Sequence, residues 1–344
     1  MIRTAKPAAA VLLLSLCLPS YVFGQKTDVV VLDNGDRLTG EVKRLERGKL
    51  VFKTDSLGTV EIEWDDILSV TSAQEFEVEL ETGERFFGPL GEDSDSNEVV
   101  VELSEGPMTL PHEEVVLITP IKSTFWGRVD GSLDLGFSYA QADQSSQLNL
   151  GLDASIRSRK YLRRLQVSSI LSNRDEGEDV RRSTSSFEFS RFISRKWDTL
   201  AIGSAEQNEE LGLDIRTMLS AGMRRHLVRS NSSNFSATLA AAVNRELYLG
   251  PQGEQYNLEA VAGLEYERFS FDDPEVDFTV KISVFPSLSE SGRVRVEFES
   301  RLRRELVEDF FLVLSVYDSF DSAPPVEEVE RNDWGLTTSL GWSF

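Results

Sequence analysis

The chain has 344 residues with 36 basic and 58 acidic side chains, a formal net charge of −22. So acidic a polypeptide repels a phosphate backbone, which excludes nucleic acid as a partner, and its field gathers cations instead. The only cysteine, Cys17, lies in the N-terminal apolar segment, so no disulfide framework is expected.

Taken in chain order, Arg3 and Lys6 precede an apolar run from Ala8 to Leu18, then Val22-Phe23-Gly24 before Gln25. That arrangement reads as a signal peptide over residues 1–24. The run is too short to span a bilayer as a helix, and no later stretch reaches about 18 apolar residues. Leu16 stands where lipid attachment at Cys17 would require a small residue, so lipidation is not expected. Cleavage would remove two positive charges and no negative ones, taking −22 to −24.

An internal repeat with an offset of 48 follows, in a first copy over residues 25–72 and a second over 73–121. Val31-Leu-Asp-Asn-Gly-Asp-Arg-Leu-Thr-Gly40 aligns with Glu79-Leu-Glu-Thr-Gly-Glu-Arg-Phe-Phe-Gly88, and Trp64 to Val70 with His112 to Ile118. Each copy reads as short strands with glycine turns, a pattern that fits tandem SH3-like or Sm-like β modules. Gly35 and Gly83 are placed in hairpin turns, Gly40 and Gly88 at bulges. His112 occupies the position of Trp64 and has no partner histidine or cysteine, which points to packing rather than zinc. Asp93, Asp95 and Asn97 imitate the start of a calcium loop, but Glu98 and Ser104 stand where glycine and glutamate are needed. No metal site and no cofactor is expected. The recurring Arg37 and Arg85 read as turn-anchoring ion pairs, and the tandem as a docking module.

From residue 122 to 344 the pattern lengthens. Val129, Gly131, Leu133, Leu135, Phe137 and Tyr139 alternate with Asp130, Ser132, Asp134, Gly136 and Ser138, and similar runs recur to give twelve strands. About ten residues per span with polar turns is the signature of a transmembrane antiparallel β-barrel. The mature tyrosines and Trp126, Trp197, Trp334 and Trp342 fall at strand ends, where amphipathic rings settle at a membrane interface. Charges persist in mid-strand: Arg295, Glu297, Glu299 and Arg301 alternate with Val294, Val296, Phe298 and Leu302. A sandwich core rejects such a row, so these four are read as facing a wet lumen. The terminal strand ends on Trp342 and Phe344 of the apolar parity, read as the signal for insertion by the barrel assembly machinery.

An even strand number returns both barrel ends to the side of the repeat module, expected to be the periplasm. Links near 158–162, 194–197, 228–233, 271–276 and 303–308 fall on that side. The opposite loops are acidic (Asp175, Glu176, Glu209, Glu327 among them) and would meet lipopolysaccharide through divalent cations. The basic module-side rim, with Arg157, Arg159, Arg195, Arg224 and Arg303, suits anionic phospholipid, while Asp272-Asp273-Pro274-Glu275 breaks the trend.

Through Leu32-Asp-Asn-Gly-Asp-Arg-Leu-Thr-Gly40, Leu148-Asn-Leu-Gly-Leu152 and the terminal Trp342-Ser-Phe344, the chain resembles a family of uncharacterised Gram-negative outer-membrane β-barrel proteins described as salt-induced outer-membrane proteins. The resemblance implies an outer-membrane barrel and carries no catalytic residues. The expectation is therefore a non-enzymatic envelope protein of the outer membrane, with narrow passage of small solutes. Peptidoglycan or a second periplasmic protein is the expected partner of its module. The alternatives are a barrel hydrolase using His226 with a serine, which no Gly-x-Ser-x-Gly supports, and a soluble periplasmic β binding protein.

Overall fold

The structure is a computed structural model describing residues 27–92, 98–121, 129–140, 145–174, 180–208, 213–248, 254–271, 274–307, 310–323 and 331–342. The signal-peptide segment, Asp93 to Asn97, most of the acidic loops and Phe344 lie outside these residues. The described residues are built almost wholly of strands, in two sheets.

The first sheet holds β1 (Asp28–Leu32), β2 (Arg37–Glu46), β3 (Lys49–Thr54), β4 (Thr59–Glu63), β5 (Ile67–Leu80), β6 (Arg85–Leu90), β7 (Glu98–Leu103), β8 (Gly106–Pro111) and β9 (Val115–Pro120). A single 3-10 turn precedes the last strand of each copy, Trp64–Asp66 and then His112–Glu114, with the 48-residue offset preserved. The long β5 serves both copies. Its first half pairs with β1, and its second half pairs with β6 and β9. Because β9 also pairs with β2 through Leu45↔Ile118, strands β1, β2, β9 and β5 close a small barrel. The copies thus fuse into one nine-stranded sheet around a common core, with Val42, Leu45 and Phe52 from the first and Phe76, Val78 and Ile118 from the second.

Gly35 and Gly83 take φ of +88° and +80° in matching turns, as their hairpin role requires. Gly40 lies off the bulge of its strand, whereas Gly88 borders the register shift between β5 and β6. Both are close-approach points, where an added Cβ would strike the Phe52 ring at Gly40 or the Glu102 carbonyl at Gly88.

The repeat-equivalent Trp64 and His112 meet face to face, with centroids 4.1 Å apart and planes 7° from parallel. Trp64 Nε1 donates to the His112 carbonyl at 2.9 Å. His112 Nε2 is buried without a hydrogen-bond partner among the described residues. Burial holds this imidazole below its ordinary pKa, with Asp65 pulling weakly the other way. A depressed histidine favours the fold fully above the unfolded pKa of about 6.5 and loses that contribution as pH falls toward the folded value. Melting temperature should therefore fall between pH 7 and pH 5. His112→Phe should flatten this dependence, and an unchanged slope in the variant would assign it elsewhere.

The second sheet runs β10 (Val129–Ala140), β11 (Ser145–Arg157), β12 (Tyr161–Arg174), β13 (Val180–Ser194), β14 (Trp197–Asn208), β15 (Leu213–Arg229), β16 (Ser233–Tyr248), β17 (Glu254–Ser270), β18 (Val276–Pro286), β19 (Val294–Val307), β20 (Phe310–Asp321) and β21 (Asn332–Trp342). These are the twelve expected strands, each antiparallel to the next. In-register pairs such as Leu133↔Leu152 and Asp134↔Gly151 keep one parity apolar and the other small or polar. The sheet curls so that β10 and β11 face β19 across a shared cavity. Leu133, Leu135, Phe137, Leu219 and Leu340 lie on the outside, each more than 60% exposed.

The aromatic belt is less complete than expected. Tyr161, Trp197 and Trp342 do end strands, but Tyr248 and Tyr317 belong to the inward parity. Tyr248 donates to Glu246 at 2.8 Å, and Tyr317 lies over Gly335, whose missing side chain leaves room for the ring.

Candidate functional site

The inward parity of the large sheet encloses a cavity of about 540 Å³. Ser132, Asp134, Asp153, Gln166 and Ser186 form one wall; Arg216, Arg295 and Glu297 form the other. Pleating alone makes this lining, because every second residue of each strand points inward.

On the side away from the first sheet, the guanidiniums are matched by carboxylates. Arg216 donates to Glu246 at 2.9 Å and to Glu206 at 3.1 Å. Arg295 places Nε and Nη2 on the two oxygens of Glu259 at 3.0 and 2.9 Å. Arg293, in the link between β18 and β19, reaches Asp321 at 2.7 Å and approaches Glu246 at 3.7 Å. Such forked pairs hold both partners rigidly when water is excluded.

Of the four charges read as lumen-facing, Arg295 and Glu297 line the cavity. Glu299 stands opposite Lys281 and Arg301 opposite Thr279 on the same parity, beyond the cavity. Sequence reasoning missed the partners Glu246, Glu259, Arg216 and Arg293. For Glu246, Glu259 and Arg216 the signal was present, as charges on the polar parity of neighbouring strands. Arg293 lies in a link, and the pairing of particular acids with particular bases carried no signal.

The other end carries the main surprise. Glu77 and Glu79 of β5 are buried between the first sheet and the rim of the second, with Glu79 fully inaccessible. Arg157 donates to Glu77 at 3.2 Å and to Glu79 at 3.0 Å. Arg85 lies 3.5 and 3.3 Å from the same two carboxylates, and Arg229 is paired with Glu79. Burial raises the Glu77 carboxyl above its ordinary pKa even though Arg157 and Arg85 pull it down. The guanidiniums of Arg85 and Arg157 also lie over the Phe192 ring, at 4.1 and 4.8 Å.

Further contacts extend this junction around the rim. Arg195 pairs with Glu84, Asn231 donates to the Val115 carbonyl at 3.0 Å, and Arg47 meets Asp277 at 2.8 Å. Four successive links on this side therefore touch the first sheet. The basic rim read as suited to phospholipid is largely engaged inside the chain. Arg157, Arg159 and Arg195 pair with the module, Arg303 with Glu275, and Arg224 with Glu188. The first copy joins through Arg47, whereas the buried glutamate pair belongs to the second copy. At the 48-residue offset, Glu77 and Glu79 correspond to Val29 and Val31, a difference that marked the contact face in the sequence.

His226 sits near this end with Nε2 at 2.7 Å from Asp198 Oδ2, and Arg224 approaches the same carboxylate at 3.7 Å. The nearby Ser190 hydroxyl donates to Glu188. No serine hydroxyl bonds to His226 among the described residues, so the Ser-His pair weighed from the sequence is not assembled there. Trp342 ends β21 at 73% exposure on the outer face.

Residues 133–344 match a family described as Protein of unknown function, DUF481, a match that starts within β10 and leaves the tandem module outside it. No curated protein matches the chain.

Proposed function

Because the chain belongs to the DUF481 family, whose description assigns no activity, we propose a function from geometry: an outer-membrane β-barrel whose N-terminal module caps its periplasmic mouth. The envelope role is structural, with passage of small polar solutes when the cap loosens. The observation that carries this reading is the contrast between the two parities of the twelve strands. Large apolar side chains are exposed outside, where lipid would cover them, and charged and hydroxyl groups face the cavity. An exposed apolar surface of that extent is not stable in water and marks a membrane or partner. The resemblance to salt-induced outer-membrane proteins agrees with it.

The cap is held by charge rather than by an apolar seam, which makes it displaceable. The nearest partner of the docking module is thus its own barrel rim, ahead of peptidoglycan or another envelope protein. The test is a planar-bilayer recording of the purified full chain. The native protein should show little conductance, and a variant carrying Arg157→Gln with Arg229→Gln should show stepwise openings. A silent variant that still inserts would refute passage through the lumen.

A further inference from the structure

The central cavity has a chemistry more specific than a generic polar lumen. Its volume of about 540 Å³ is of the size that encloses a small molecule. The two arginines lining it are already neutralised: Arg216 by Glu206 and Glu246, Arg295 by both oxygens of Glu259. Apart from Glu206, the lining carboxylates are not matched in the same way. Among the described residues, Asp153 accepts an amide hydrogen bond from Gln166 at 2.8 Å and makes no ion pair. Glu297 keeps half of its side-chain surface exposed, with Arg295 at 3.6 Å as its nearest cation. Asp134 adds a third carboxylate on the Asp153 wall. Between these acids stand Ser132, Ser168, Thr184, Ser186 and Ser204, neutral groups that both donate and accept.

Each class of guest can be weighed against this lining. An anion meets uncompensated negative charge at both walls. An apolar guest leaves the hydroxyls and carboxylates desolvated without partners. A neutral sugar satisfies the hydroxyls and leaves the acids unmatched. A cation bearing several hydroxyl groups uses both features together.

We propose that the cavity is a binding site for a small polyhydroxylated cation, an amino sugar by chemical class, held with its ammonium toward Glu297 and the aspartate wall and its hydroxyls on the serine-rich strands. This site rests on the reading of the inward parity as an open lumen.

The experiment is calorimetric titration of the full chain, folded in detergent, with D-glucosamine, D-glucose, putrescine and D-gluconate. Glucosamine should bind most tightly, glucose and putrescine more weakly, and gluconate not at all. Glu297→Gln should weaken glucosamine about tenfold, the loss expected for one charge-assisted hydrogen bond. Glu254→Gln, an exposed change outside the cavity, should leave binding as it was. Equal binding of glucose and glucosamine, no binding of any probe, or glucosamine binding indifferent to Glu297→Gln would overturn the site. Because binding is measured with the cap in place, it separates the two readings. Binding without conductance refutes passage alone, and conductance without binding refutes the site alone.

Discussion

Glu79→Val should detach the N-terminal module from the barrel rim while leaving the module folded. Glu79 is fully buried between Arg85, Arg157 and Arg229. Its removal leaves Arg85 and Arg157 on Glu77 alone and takes from Arg229 its partner at the junction. Breaking a buried ion pair by deleting one partner costs about 3–5 kcal/mol, because the remaining charge is desolvated without compensation. Valine is the right replacement, since Val31 holds the equivalent place in the first copy. Limited proteolysis between residues 121 and 129 should accelerate sharply in the variant, and the module should melt separately from the barrel. Unchanged protease resistance would mean that the charge cluster does not hold the junction.

A second pair of substitutions guards against a trivial folding defect. Gly83 and Gly35 share the same positive φ, so alanine strains both turns alike. Only at Gly83 would the new Cβ fall on a barrel atom, the Arg195 carbonyl oxygen; at Gly35 nothing lies within 4 Å. Gly83→Ala should release the module, whereas Gly35→Ala should merely lower its stability.

Placing an arginine at Leu302 should impair insertion far more than removing a charge from the neighbouring inward parity. Leu302 lies mid-strand in β19 between Phe278 and Leu314, on the outer apolar parity. An arginine facing the middle of a bilayer costs about 2–4 kcal/mol, falling toward zero near the interfaces. Val296→Arg, at the third position of the same strand, should therefore cost less than Leu302→Arg. Glu297→Leu should insert normally, because Glu297 faces the cavity. Urea titrations of folding into lipid vesicles would rank the three. If Glu297→Leu proved the most damaging, the inward and outward faces of β19 would be exchanged.

Much of this architecture was legible from local pattern. Alternation with period two, as in Leu133, Leu135 and Phe137 against Ser132, Asp134 and Gly136, is a direct consequence of the pleat. A one-residue slip would turn every apolar side chain inward, so local pattern sets strand positions and register parity in the large sheet. It also determined the repeat, since a gap-free offset of 48 returned each turn and each 3-10 segment to its place.

Which distant groups meet is settled by how the sheets curl and dock. That β9 would pair with both β2 and β5, fusing two copies into one sheet, depends on long-range closure that no local window contains. The same holds for Arg293 choosing Asp321, for Tyr248 turning inward to Glu246, and for the rim arginines turning to Glu77 and Glu79 rather than to lipid. A charge on the polar parity shows only that it avoids the apolar face. Its partner is set by the curvature of the sheet and the seating of the module, because an ion pair depends on a separation of a few ångströms between strands far apart in the chain.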